Sequence, residues 1–183
     1  ILTTYIRKGS TKSNKQLFAV HRLDRDTSGV LVFAKSFDAC ETLKVQWKDV
    51  KKKYIAMVHG ILKEKCGMIT SYLAENDDYE VYSVDDHRKG DLAKTKYKVV
   101  EESKVYSLIE IELLTGRKNQ IRVHFSEKGH PLVGDTKYGK KDGPKRRLAL
   151  HSQFLTFKHP RTGKEVTFQA EVPIFFKKHF KNA

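Results

Sequence analysis

The sequence predicts an α+β protein, a large, mostly antiparallel mixed sheet with few helices, in one domain over residues 1–183. Three observations predict it. Period-two alternation of apolar and polar residues recurs along the chain and is cleanest between 93 and 113. Helical spacing is confined to a few stretches. No repeat, low-complexity linker or shift of composition divides the chain.

In order, the chain opens Ile1-Leu2-Thr3-Thr4 without an initiator Met and enters a Lys/Ser/Asn loop from Lys8 to Lys15. Leu17 to Val20 reads as a short strand. The polar stretch His21-Arg22-Leu23-Asp24-Arg25-Asp26-Thr27-Ser28-Gly29 follows, then the apolar run Val30 to Ala34, read as a buried strand. Ser36 is an N-cap for a helix through Phe37, Cys40, Leu43 and Trp47 to Asp49. Lys51-Lys52-Lys53 leads into a central strand, Tyr54 to His59, ended by Gly60. Further strands are expected at Met68 to Leu73 and Glu80 to Val84, with Asp85 to Gly90 as a charged loop.

In Ala93 to Val99, Lys94, Lys96 and Lys98 alternate with apolar or small residues. After a turn near Ser103-Lys104, Val105, Ile109, Ile111 and Leu113 share a face and Glu110 and Glu112 take the other, which predicts an antiparallel hairpin with one wet face. Thr115-Gly116 breaks the strand, and Arg117 to Lys128 reads as a helix stopped by Gly129. On that helix Arg117 and Arg122 would lie about 140° apart, so one of them is expected to face a site. A loop to Gly139 runs into the basic cluster Lys140 to Arg147; two strands, Leu148 to Phe157 and Val166 to Val172, and a short helical tail from Phe175 to Phe180 complete the chain.

Thirty-six Lys and Arg against 22 Asp and Glu give a net charge of +14, spread over the whole chain, the footprint of a protein that tracks a phosphate backbone. No stretch reads as a basic amphipathic membrane helix, and no apolar run is long enough for a span or a signal segment. Cys40 and Cys66 stand far apart, which argues against a disulfide framework or a zinc knuckle and suits a reducing cytoplasm.

Asp24 is the residue with the strongest claim to chemistry. It stands in a polar loop that feeds a core strand, where a scaffold presents functional groups. The flanking arginines are expected to hold it ionised, which suits a nucleophile; an Asp beside arginines is also a common structural ion pair. Ser28 lacks a G-x-S-x-G elbow, so Thr27-Ser28-Gly29 reads as turn chemistry, and Asp85-Asp86-His87 as a solvated loop.

His21 to Gly29 resembles the first motif of the RluA-like RNA pseudouridine synthases. Lys53-Tyr54-Ile55-Ala56-Met57-Val58-His59-Gly60 looks like the second, and Thr115-Gly116-Arg117-Lys118-Asn119-Gln120-Ile121-Arg122-Val123-His124 like the third. Gly134-Asp135-Thr136-Lys137-Tyr138-Gly139 and Leu148-Ala149-Leu150-His151 match in order. The resemblance implies the pseudouridine synthase fold around a central catalytic cleft and a reaction that needs no cofactor and no metal, in which a uracil leaves its ribose at N1, turns, and rejoins through C5. It implies Asp24 as the catalytic residue, Tyr54 as the ring that stacks on the uracil, and Arg122 as the partner of Asp24. Arg22, Lys53, Arg117 and Ile121 are the expected substrate contacts, with Arg22 filling the place of the flipped base, and Lys51 to Lys53, Lys140, Lys141 and Lys145 to Arg147 along the backbone.

The partner expected is ribosomal or transfer RNA, met in the cytoplasm by a monomer without a membrane. The family's Lys-Pro-x-Gly-like turn has no match before His21, and no appended RNA-binding domain is visible; a missing N-terminal strand is therefore expected. Two other classes stand beside this one: an RNA-binding module without catalysis, and a metal-dependent nuclease using His21, Asp24 and Asp26.

Overall fold

The structure is a computed structural model that describes residues 2–8, 10, 13–139, 147–178 and 180. In chain order its elements are α1 (Leu2–Ile6), β1 (Phe18–Ala19), β2 (Ser28–Gly29), β3 (Phe33–Ala34) and α2 (Phe37–Val45), which runs into a 3-10 turn (Gln46–Asp49). There follow β4 (Lys51–His59), β5 (Cys66–Glu75), β6 (Val81–Val84), β7 (Asp91–Glu102), β8 (Tyr106–Leu113), α3 (Gln120–Glu127), β9 (Leu150–Lys158), β10 (Glu165–Gln169) and α4 (Ile174–Lys177). Seven strands lie in the order β10-β9-β4-β8-β7-β5-β6, all antiparallel, and β2 joins β9 in parallel, so the sheet is mixed as expected. β1 and β3 make a small ladder of their own.

Burial follows from alternation. Ala56 and Val58 of β4 pack with Ile109, Ile111 and Leu113 of β8 and with Ile121 and Phe125 of α3. Ile55 and Met57 point the other way, onto Leu108, Ala149, Phe176 and Phe180. Each of the larger of these side chains, from Val to Phe, contributes about 1.5–3 kcal/mol by leaving water, so β4, covered on both faces, is a rigid base for whatever its open end carries. A third cluster sets Cys40 and Leu43 of α2 against Val20, Val50, Leu155 and Phe157. It anchors the chain on either side of the Asp24 loop.

The expected hairpin is present and its turn is at Ser103, whose backbone N–H donates to the Tyr106 carbonyl at 2.9 Å. Val105 lies in that turn, 58% exposed, rather than on the buried face. Ser36 caps α2 as expected, accepting from the Ala39 N–H, but α2 ends at Val45 and tightens into the 3-10 turn.

Three expectations need correction. Val30 to Ala34 is not one buried strand: only Phe33 and Ala34 pair with β1, the Val30 N–H donates to Ser152 at 2.9 Å, and Leu31 is exposed. The third helix starts at Gln120 and not at Arg117, because Asn119 takes a left-handed conformation (φ 52°) that α-helical geometry does not continue through. Its C-terminal end is as read, with Gly129 at φ 80° and the His130 N–H reaching back to the Phe125 carbonyl at 2.8 Å. The last strand stops at Gln169 and the tail helix covers Ile174–Lys177. Lys140, Lys141, Lys145 and Arg146 lie outside the described residues. Arg147 is exposed, with its guanidinium 5.3 Å from the Phe175 ring centre.

Candidate active site

Three backbone devices bring the loop around Asp24 to the sheet. Gly29, at φ 118°, lies so close to β9 that a Cβ there would sit 2.1 Å from the Ser152 carbonyl oxygen, so no other residue fits without moving a strand. The Thr27 N–H closes a turn onto the Asp24 carbonyl at 2.9 Å. At the loop's other end the Val32 N–H donates to His21 Nε2 at 3.0 Å, and the His21 ring stacks on Trp47 with centres 4.5 Å apart. Burial pulls the His21 imidazole down to about 4, so near neutrality it stays uncharged and keeps Nε2 as an acceptor.

Asp24 faces a cavity of about 320 Å³ at the open end of β4 and β9, walled by Tyr54, Ile121, Leu150 and Leu155 and by the loop from Gly116 to Asn119. Among the described residues both bonds to the Asp24 carboxylate fall on Oδ2. Asn119 Nδ2 donates at 2.7 Å and an Arg122 terminal nitrogen at 3.5 Å. Arg122 is held elsewhere: its Nε and other terminal nitrogen each reach Asp135 at 2.8 Å. Asp135 Oδ1 also accepts the N–H groups of Lys137 and Tyr138, both at 2.9 Å. Burial alone would raise the Asp135 carboxyl and depress the Arg122 guanidinium; their mutual bonds outweigh it, so Asp135 is held below and Arg122 above its ordinary value.

The orientation of Asn119 follows from donor and acceptor bookkeeping. The Val81 N–H donates to the Tyr138 hydroxyl oxygen at 3.0 Å, and that hydroxyl reaches Asn119 Oδ1 at 3.2 Å. A backbone N–H only donates, so the Tyr138 proton goes to Asn119 Oδ1 and the amide presents its NH₂ to Asp24. The carboxylate therefore meets both donors at Oδ2, and among the described residues no hydrogen bond falls on Oδ1.

Tyr54 sits where the β4 and β9 register shifts, between Lys53 and Tyr54. The extra residue is Gln153 of β9, so β4 keeps its alternation and Tyr54 stays on the face of Lys52 and Ala56. Burial raises its phenol above the ordinary value and the Asp24 charge adds to the rise, with Ser152 acting the other way, so the ring is a neutral, polarisable wall with a hydroxyl.

Family comparison adds to this geometry. The family model described as RNA pseudouridylate synthase matches residues 3–127. The chain belongs to that family. It is 43% identical over 161 residues to an uncharacterized RNA pseudouridine synthase of Bacillus subtilis, covering 84% of this chain and 52% of the relative. Ribosomal large subunit pseudouridine synthase C of Buchnera aphidicola (from Schizaphis graminum) is 35% identical over 179 residues, covering 90% and 56%. Synthase D of Zymomonas mobilis is 38% identical over 166 residues, covering 84% and 52%. The chain thus spans about half the length of these relatives. Among solved structures, human RNA pseudouridylate synthase domain containing 4 superposes with a TM-score of 0.79 at 25% identity, over 96% of this chain and 78% of that one. Human RNA pseudouridylate synthase domain containing 1 gives 0.76 at 27%, over 87% and 70%.

Of the candidate residues read from the sequence, Asp24, Tyr54, Arg122, Arg22, Arg117 and Ile121 all line the Asp24 cavity. Lys53 does not; Lys52 does, because alternate strand residues share a face and Tyr54 and Lys52 are two apart. Lys52 is buried, and that burial lowers its ammonium, with Asp49 opposing the shift. The arginines beside Asp24 do not pair with it: Arg25 meets Asp26 at 3.6 Å on the surface, and Arg22 is exposed at the cavity rim. Arg117 is not excluded by helix geometry, since it precedes α3. It lies at the cavity wall, with its side chain tied to the Leu92 carbonyl at 3.2 Å and Asp91 at 3.3 Å.

The residues that sequence reasoning missed are Asn119, Asp135, Tyr138 and Gln120. Gln120 uses its whole amide: Oε1 accepts from Thr115 and the Arg117 N–H, and Nε2 donates to Lys94 and Thr95. It pins the loop that carries Asn119 to β7. The nuclease reading finds no support in geometry: no group of three or more potential metal ligands occurs among the described residues, and His21 and Asp26 are engaged elsewhere. No helix among them is long and apolar enough to cross a membrane.

Proposed function

We propose that this chain carries the catalytic unit of a pseudouridine synthase that isomerises a chosen uridine in ribosomal or transfer RNA, with Asp24 as the catalytic carboxylate. The observation that carries the reading is a carboxylate that lines a cavity walled by Tyr54 and has its Oδ2 bound by Asn119 and Arg122. The family and the names of the relatives support an RNA substrate, and two of them are named for the ribosomal large subunit.

The target uridine leaves its stack, at a cost of a few kcal/mol, and enters the cavity beside Tyr54, while the exposed Arg22 takes the vacated place. Asp24 acts on the bound nucleotide; the bond from C1′ to N1 breaks, the uracil turns, and a bond from C1′ to C5 forms. The C5 proton departs and N1 gains one, so the atoms balance without a co-substrate. Arg122, fixed by Asp135, keeps Asp24 oriented, and Tyr54 offers a π-face to the base and a hydroxyl for the C5 proton. Arg117 and Ile121 would bound the nucleotide, and the protein would act as a cytoplasmic monomer.

Carbodiimide mapping of pseudouridine in RNA treated with wild-type protein and Asp24→Asn tests the reading. The variant is expected to fold and bind RNA and to make no pseudouridine. Continued isomerisation by Asp24→Asn would overturn the assignment, and RNA binding by a wild type that modifies nothing would point to a non-catalytic module.

A further inference from the structure

The hairpin between β5 and β6 ends in Asn76-Asp77-Asp78-Tyr79-Glu80, and its tip is built around an aromatic residue in an unusual backbone state. Tyr79 has φ 59°, a left-handed conformation that favours Gly or Asn, yet its side chain is a ring that is 71% exposed. Two hydrogen bonds close the turn: the Tyr79 N–H donates to the Asn76 carbonyl at 3.0 Å, and the Glu80 N–H to Asn76 Oδ1 at 2.8 Å.

One cation lies over this ring and a second holds its backbone, and both come from segments beside the candidate active site. Lys118, which lines the Asp24 cavity, holds its ammonium 5.2 Å from the Tyr79 ring centre while pairing with Glu75. Lys137, between Asp135 and Tyr138, donates to the Tyr79 carbonyl at 2.6 Å. One side of the ring thus rests on a residue of the cavity wall, and the exposure leaves the other side to solvent.

We propose that Tyr79, with Lys118 and Lys137 beside it, is a second base seat, on which an unpaired nucleotide flanking the target uridine stacks while its phosphate meets the two lysines. The inference rests on the RNA substrate proposed above. An aromatic ring accepts any base through its π-face, and a neighbouring cation adds to the attraction. The seat therefore contributes affinity and positions the strand, and it leaves the choice of base open.

The test uses a single-stranded oligoribonucleotide carrying 2-aminopurine, whose fluorescence falls on stacking, with wild type, Tyr79→Phe and Tyr79→Asn. Asn suits the left-handed backbone, so the turn is retained while the ring is removed. Wild type and Tyr79→Phe are expected to quench and to bind within twofold of one another; Tyr79→Asn is expected to lose the quench and bind fivefold to tenfold more weakly. On an unmodified ribosomal RNA transcript Tyr79→Asn should raise KM by a similar factor and keep kcat.

Equal binding and quenching by Tyr79→Asn and wild type would overturn the seat. So would a Tyr79→Phe variant as weak as Tyr79→Asn, or a wild type that leaves the probe bright. A wild type that forms no pseudouridine counts against the proposed function alone, since the fluorescence comparison decides the seat without turnover.

Discussion

Arg122 is bound more closely to Asp135 than to Asp24: two of its nitrogens lie 2.8 Å from the Asp135 carboxylate and a third 3.5 Å from Asp24. The fork and the buried acid are a mount, and Asp24 meets the remaining nitrogen of a guanidinium that is already fixed. Removing one partner of such a pair leaves a buried, uncompensated charge.

Asp135→Ala is therefore expected to destabilise the fold by about 3–5 kcal/mol, seen as a lower urea midpoint. Adding Arg122→Met should return much of that stability, because the stranded charge is gone, and should not restore pseudouridine formation. A single variant as stable as wild type would contradict the mount.

Asn119→Gly keeps the left-handed backbone and deletes the bond to Asp24. A hydrogen bond to a charged group is worth about 1.5–3 kcal/mol, which predicts kcat roughly tenfold to a hundredfold lower with KM little changed. An effect confined to KM would assign Asn119 to binding instead.

Lys52 and Lys53 separate the two faces of β4. Lys52→Met should weaken RNA binding and reduce the slope of log affinity against log salt by about one if its ammonium meets a phosphate. Lys53→Met should leave both nearly unchanged. Salt titrations of the two variants make the comparison, and equal effects would mean that the strand face does not matter.

Acid should act in two windows. His124 is buried, its ring nitrogens shared with Ser71 and Thr95, and burial lowers it to about 4. The unfolded chain binds that proton near 6.5, so stability is full above this value and falls as pH drops toward 4, by up to about 3 kcal/mol for this residue. His21, lowered likewise to about 4 by burial, adds a loss of the same sign. Asp135, depressed in the fold, contributes above its unfolded value near 4 and is lost only at lower pH. His124→Gln should make the upper window shallower in urea titrations, leaving the share of His21, and spare the lower one.

Elements fixed by alternation or by local capping were legible. The hairpin of β7 and β8, the Ser36 cap and the Gly129 stop all follow from residues within a few positions of one another. Period two puts Lys52, and not the Lys53 expected as a substrate contact, on the face of Tyr54. The Asp24 loop was found as a motif, and its partner Arg122 followed from the family resemblance and not from the residues beside it. The adjacent arginines look sufficient on the chain, and the loop turns them outward toward the rim and Asp26.

Less legible were features that depend on contacts across the fold. Val30 to Ala34 is apolar enough for a strand, yet it has only two residues of partner in β1, and its first N–H is taken by β9. The start of α3 depends on a non-glycine residue at positive φ, which composition does not announce. Asp135 lies thirteen positions after Arg122 in a segment without periodicity, so nothing local marks it as the acid that holds the arginine.

The chain of bonds from Val81 through Tyr138 and Asn119 to Asp24 has a mechanical side. Val81 begins β6, two residues after Tyr79, so the hairpin tip and the carboxylate share one lever. Any tilt of that hairpin changes how firmly Asn119 donates to Asp24, and by reciprocity a change of charge at Asp24 alters the energy of tilting the hairpin. The bond that starts this lever is made by the backbone of Val81 and not by the Tyr79 ring, so trimming the ring leaves the lever as it is, whereas loss of the Tyr138 hydroxyl cuts it.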